Sequence, residues 1–139
     1  MKRIRPLGAV LAGAVLAGLA SAFVVIAGVQ WLNFVLFPPP EGTNFDDPAQ
    51  VEAILESLPV AALLMLELSY ALGSIVGGAV AGWVHSGRAA LVVGGVLTLL
   101  GVLNLRSIPH PLWLAVLTTV TYLPMCGLGA YLARRRLER

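Results

Sequence analysis

The sequence predicts an all-α fold: an integral membrane four-helix bundle with a short amphipathic surface helix in the first outer loop. Three observations carry that prediction. Of 139 residues, 58% are hydrophobic and 12% charged, whereas a soluble domain carries about 25% charge. Four apolar stretches stand apart, each long enough to cross the hydrocarbon core as a helix. Lysine and arginine gather on one side of the four-span arrangement that these stretches imply. The whole chain, 1–139, reads as one transmembrane domain, in keeping with a mean hydropathy of +0.88.

The first span covers 6–37 and follows a basic start, Met1-Lys2-Arg3-Ile4-Arg5. Its first half has the layout of a secretory signal, with Ala20-Ser21-Ala22 as the cleavage-type site. The apolar run continues through Phe23-Val24-Val25-Ile26, where a mature soluble domain would begin, so it is read as a retained span. As one helix it measures about 48 Å, more than the hydrocarbon core needs, and it must tilt or protrude. Gly8, Gly13 and Gly18 give it a slim face, and Trp31, Phe34 and Phe37 form an interfacial aromatic belt. Pro38-Pro39-Pro40-Glu41-Gly42 stops the helix, because proline has no amide hydrogen to donate and its ring clashes with the preceding turn.

A second helix is expected at 48–58. Asp47 is placed to cap it, Pro48 to open it and Gln50 to close a capping box. Val51, Ile54, Leu55 and Leu58 share one face, and Glu52 and Glu56 the other. Such a helix lies on the membrane surface or caps the bundle. The remaining spans are 59–84, 89–105 and 112–133, the last with an internal Pro124. Arg134-Arg135-Arg136 at its end reads as a stop-transfer signal and an anionic-lipid anchor.

Orientation follows from charge. With the N-terminus cytoplasmic, Lys2, Arg3, Arg5, Arg88, Arg134, Arg135, Arg136 and Arg139 lie inside, and Arg106 alone lies outside. The first outer loop carries Glu41, Asp46, Asp47, Glu52 and Glu56 and no base. Both termini are therefore expected in the cytoplasm.

The span 59–84 is the one around which the others are expected to gather. It holds Glu67, the only acid inside an apolar run, with Tyr70 and Ser74 on the same helical face. Gly73 and Gly77, and Gly78 and Gly82, are GxxxG pairs that admit close helix approach. Counting from the outer helix ends places Glu67 about 12 Å deep, with Gln30, Thr118 and Thr119 at a similar level. Tyr122 lies somewhat deeper and Arg106 nearer the surface. A carboxyl group at this depth is costly and faces the bundle interior or a wet cavity. The functional expectation is an outward-facing pocket with Glu67 as a proton or cation site. The plainer alternative is a bundle clamp, with Glu67 hydrogen-bonded across helices or paired with a snorkelling Arg106.

Other chemistry is sparse. There is no HExxH, CxxC or P-loop motif, so no metal or cofactor is expected. No nucleophile–base pair is visible, which argues against an enzyme. Cys126 is alone and reads as a packed apolar residue. His85 and His110 fall on opposite sides of the membrane and share no ligand. The pI near 9.1 reflects bases at membrane edges rather than a nucleic-acid surface. The expected partners are the lipid bilayer and either a second copy of the chain or a larger membrane complex, with no nucleic acid.

The chain also resembles a group of small bacterial four-span inner-membrane proteins. The resemblance rests on Pro38-Pro39-Pro40-Glu41-Gly42, Ala71-Leu72-Gly73 with Gly77-Gly78, Ile108-Pro109-His110-Pro111-Leu112-Trp113 and Tyr122-Leu123-Pro124-Met125, in that order. It implies a four-span fold and a bacterial inner membrane, and no activity. Small multidrug transporters are similar in having four short spans and one membrane-embedded glutamate. There the acid sits in the first span; here it sits in the second. Two classes of function follow: a non-enzymatic accessory or structural membrane protein, and a small proton- or cation-linked transporter or ligand-binding protein using the Glu67 pocket.

Overall fold

In a computed structural model, residues 7–108 and 110–138 are described. The basic start at 1–5, Pro6 at the head of the expected first span, Pro109 and Arg139 lie outside the described residues. Five helices follow in order: α1 (Leu7–Leu36), α2 (Pro48–Ser57), α3 (Val60–Val84), α4 (Gly87–Ser107) and α5 (Leu112–Leu137). All but α2 are long and apolar enough to cross a membrane. The chain is a multi-pass membrane protein with an all-α fold.

Helix α3 is the hub. It packs against α1, α4 and α5, and α4 also meets α1 and α5. Helices α1 and α3 run antiparallel: Gly73 lies against Ile26, Gly77 against Ala22, and Ala81 close to Gly18. Helices α3 and α5 run parallel, with Gly78 against the Cys126 backbone and Gly82 against Ala130. The reason for such closeness is the absence of side chains. A methyl group built on Gly77 would stand 2.7 Å from the Gly18 carbonyl oxygen. Gly129 returns the favour from α5, lying against the Ile75 carbonyl. The buried set is correspondingly small-sided, with Ala14, Ala22, Ala81, Ala89, Ala90 and Ala130 among its members. Large apolar residues such as Leu16, Val24, Leu64 and Val116 point outward, which suits lipid rather than water as the surrounding solvent.

Helix ends outrun the apolar stretches. Helix α4 begins at Gly87 and reaches Ser107, and α5 continues through Arg134, Arg135 and Arg136 to Leu137. Arginine is a good helix former, so a helix need not stop where the hydrocarbon does. Asp47 caps α2 by accepting from the Ala49 amide at 3.0 Å, with Pro48 in the first turn. Gln50 does not close a capping box. Its Nε2 donates to Asp47 Oδ2 at 3.1 Å and its Oε1 accepts from the Asn44 amide at 3.0 Å, so it ties the loop to the helix instead. The apolar face of α2 covers the ends of α1 and α3 across a 240 Å³ cavity that Phe34, Phe45 and Leu66 help to line. No residue of α2 is fully buried.

Candidate functional site

The seam between α3 and α5 holds the carboxyl group. Glu67 is 8% exposed. Thr118 donates to its Oε2 at 2.7 Å, and Thr121 donates to its Oε1 at 2.6 Å. The two threonines stand three apart on α5, so the helix presents both hydroxyls on one face. The Thr121 hydroxyl also lies 2.8 Å from the Leu117 carbonyl. A hydroxyl has one proton, so these two bonds compete, whereas the Thr118 hydroxyl is committed to Glu67. Among the described residues Glu67 has no ion-pair partner, and Arg106 lies elsewhere.

Below Glu67 the same seam continues. Tyr70 meets Tyr122, ring centroids 5.7 Å apart and planes inclined at 55°. Ser74 is fully buried beside Cys126, and its hydroxyl has no well-formed hydrogen bond among the described residues. Glu67, Tyr70 and Ser74 thus form a polar line on the α5-facing side of α3, because their spacing returns them to one helical face.

The two tyrosines also form part of a second feature. Helices α1 and α4 are close where Gly18 meets Val93. Toward their C-terminal ends they leave a 330 Å³ cleft. Its walls include Phe23, Ile26 and Gln30 of α1 and Leu97, Leu100 and Asn104 of α4, with Tyr70 and Tyr122 at its base. Gly101 makes room for the Tyr122 ring: a Cβ there would stand 2.5 Å from a ring carbon. Glu67 does not line the cleft.

Comparison with protein-family models, with curated proteins and with solved structures gave no match. What the site can do is therefore read from its geometry.

The residues singled out from the sequence fall into four places. Glu67 and Thr118 are bonded to each other. Gln30, Tyr70 and Tyr122 line the cleft. Ser74 is enclosed in the α3–α5 seam. Thr119 and Arg106 share a shallow groove on the outside of α4 and α5, and the Thr119 hydroxyl donates to its own helix at Ala115 O, 2.8 Å. Residue depth alone does not separate Thr119 from Thr118; the 100° turn between neighbours does. That same turn rule identifies Thr121, three residues beyond Thr118, as the second donor to Glu67.

Ser69 and Asn33 are further polar contacts between α1 and α3. Gln30 Nε2 donates weakly to Ser69 Oγ at 3.4 Å, Ser69 donates to Leu66 O at 2.6 Å, and Asn33 Nδ2 donates to Ala62 O at 3.1 Å. Among the described residues no group of three His, Cys, Asp or Glu side chains is arranged to hold a metal ion. His110 lies in a notch with Glu52 and Glu56 of α2, far in the chain from His85 at the end of α3.

Proposed function

We propose that this is a non-enzymatic multi-pass protein of a bacterial inner membrane, acting as an accessory or structural component, either as a homo-oligomer or within a larger complex. Both termini are cytoplasmic and α2 lies on the outer face. One observation carries the reading. Both oxygens of Glu67 lie within hydrogen-bond distance of threonine hydroxyls on the neighbouring helix, and the adjacent cleft does not include Glu67 in its lining. A site that loads and releases protons or cations needs a path to solvent, and an enclosed carboxyl group with both oxygens engaged serves instead to hold two helices together. The distribution of arginines supports the orientation, and the resemblance to small four-span bacterial proteins supports the membrane.

Native mass spectrometry of the gently solubilised protein tests the reading. A discrete oligomer or a retained protein partner is expected. A monomer without partners, whose Glu67→Gln variant loses proton-coupled uptake in liposomes, would overturn it.

The cleft favours a second reading, a ligand-binding or transport protein. It offers donors from Gln30, Asn104, Tyr70 and Tyr122 around an apolar wall, the mixture that binds small molecules. The two readings part on the cleft itself. Gln30→Leu with Asn104→Leu removes two of its polar groups and leaves the Glu67–Thr118 bond in place, so an accessory protein keeps its oligomer or partner, whereas a binding protein loses its ligand.

A further inference from the structure

The end of the bundle opposite α2 carries a cavity that the proposed function does not use. It has a volume of 790 Å³ and lies where α3 turns into α4 beside the last turns of α5. His85, Arg88 and Arg134 stand on its rim, and Leu91 and Gly127 line its apolar part. Among the described residues no acidic side chain lines it.

We propose that this cavity binds an anionic phospholipid, with the phosphate held between Arg88 and Arg134 and the upper acyl chain running along Leu91 and Gly127. Four features argue for it. Two arginines from different helices line one cavity with no carboxylate among its described lining residues, a set of charges that an anion matches. Ser86 also lines the cavity, and its hydroxyl is buried with no partner among the described residues; a turn of the side chain would bring it to a phosphate oxygen. Ser86 is the N-cap of the 21-residue α4 but makes no side-chain capping bond, so the positive end of that helix is left for an external anion.

The fourth feature selects a lipid over free phosphate. The site is amphipathic in the direction a lipid demands. Arg88 lies in the first turn of α4 and Arg134 near the end of α5, at the membrane edge, while Leu91 and Gly127 are one to two turns further into the bundle. Gly127 has open space where a side chain would begin, with nothing within 4 Å of an added Cβ. A cavity of this size exceeds the needs of a lone phosphate. Arg135 is differently placed: its guanidinium sits over the Tyr131 ring, 5.2 Å from the centroid, and it does not line the cavity.

The test uses the full-length protein, delipidated in neutral detergent, with thermal stability followed during titration. Phosphatidylglycerol should raise the melting temperature saturably, and phosphatidylcholine or inorganic phosphate should not. Each of Arg88→Gln and Arg134→Gln should raise the half-saturating phosphatidylglycerol concentration about fivefold. Arg135→Gln combined with Arg136→Gln removes twice that charge outside the cavity and should still change it less than about twofold. Gly127→Leu fills the apolar part and should weaken the lipid effect as strongly as loss of an arginine.

Equal stabilisation by phosphatidylcholine overturns the proposal. So does an equal effect of inorganic phosphate, which would mark a free-anion site. Equal losses from the Arg135 and Arg136 changes would mark a diffuse basic surface. Because the comparison of lipids is made on the wild-type protein, the proposal can fail even if an arginine variant does not fold.

Discussion

Glu67, Thr118 and Thr121 form a three-residue contact whose members contribute unequally. Thr118 has no competing acceptor for its proton, whereas Thr121 can return its hydroxyl to Leu117 O. Removing the Thr118 hydroxyl leaves one Glu67 oxygen without a donor, so Thr118→Val should cost about 1 kcal/mol, within the range for hydrogen bonds between membrane helices. Thr121→Val should cost less. Thr119→Val, which removes only a bond within its own helix, should stay within about 0.5 kcal/mol of wild type. Unfolding in mixed detergent micelles measures all three, and a Thr119 effect as large as that of Thr118 would contradict the assignment. The contrast also shows what was legible in the sequence at this scale. Depth along a helix can be counted from a proline, and that count brings Glu67, Gln30 and Thr118 to one level. Rotation around a helix has no such marker until a partner is known. Thr119, at the same depth as Thr118, turns away, and Thr121, one turn on, turns toward Glu67. Gln30 is at the right level but faces the cleft, because α1 approaches α3 from the other side.

Between helices, the decisive feature is smallness. Four apolar stretches and the prolines between them define the elements, and periodicity in Val51, Ile54, Leu55 and Leu58 defines α2. What the stretches do not reveal is which face of α3 meets which neighbour. Gly73 and Gly77 lie against α1, and Gly78 and Gly82 against α5, so these four glycines face two different neighbours. Gly78→Leu places a side chain into the Cys126 backbone, which cannot withdraw, and should destabilise by about 3 kcal/mol or more. Gly95→Leu is the control on a neighbouring helix, since nothing lies within 4 Å of its added Cβ; its melting temperature in detergent should match or exceed that of wild type, as leucine is the better helix former. Equal losses at both positions would show that the α3–α5 seam is not as close as described. Helix α2 belongs to a different class of element. It has a cap but no buried residue, so its stability is local. Its amides should exchange with solvent well before those of α3, and Asp47→Ala, at a cost of about 1 kcal/mol to the cap, should speed exchange in α2 while leaving α3 unchanged.

Across the whole molecule, the two ends of the bundle differ in chemistry more than the middle does. One end carries Glu41, Asp46, Asp47, Glu52 and Glu56 around α2; the other gathers Arg88, Arg134, Arg135 and Arg136 at the ends of α4 and α5. The helices fix which residues share an end: α1 and α4 run one way and α3 and α5 the other, so the α1–α2 and α4–α5 connections lie together, opposite the α3–α4 turn. Only charge says which end faces the cytoplasm, because basic segments resist translocation while acidic ones pass. Asp46, Ser107 and Glu138 are exposed, and the native Cys126 is fully buried, which leaves the wild-type protein a silent background for thiol labelling. Cysteine at Asp46 or Ser107 should react with a membrane-impermeant maleimide applied to intact spheroplasts. Cysteine at Glu138 should react only after the membrane is opened. Labelling of Glu138→Cys alone in sealed cells would reverse the orientation, and with it the leaflet in which the Arg88–Arg134 cavity meets its lipid.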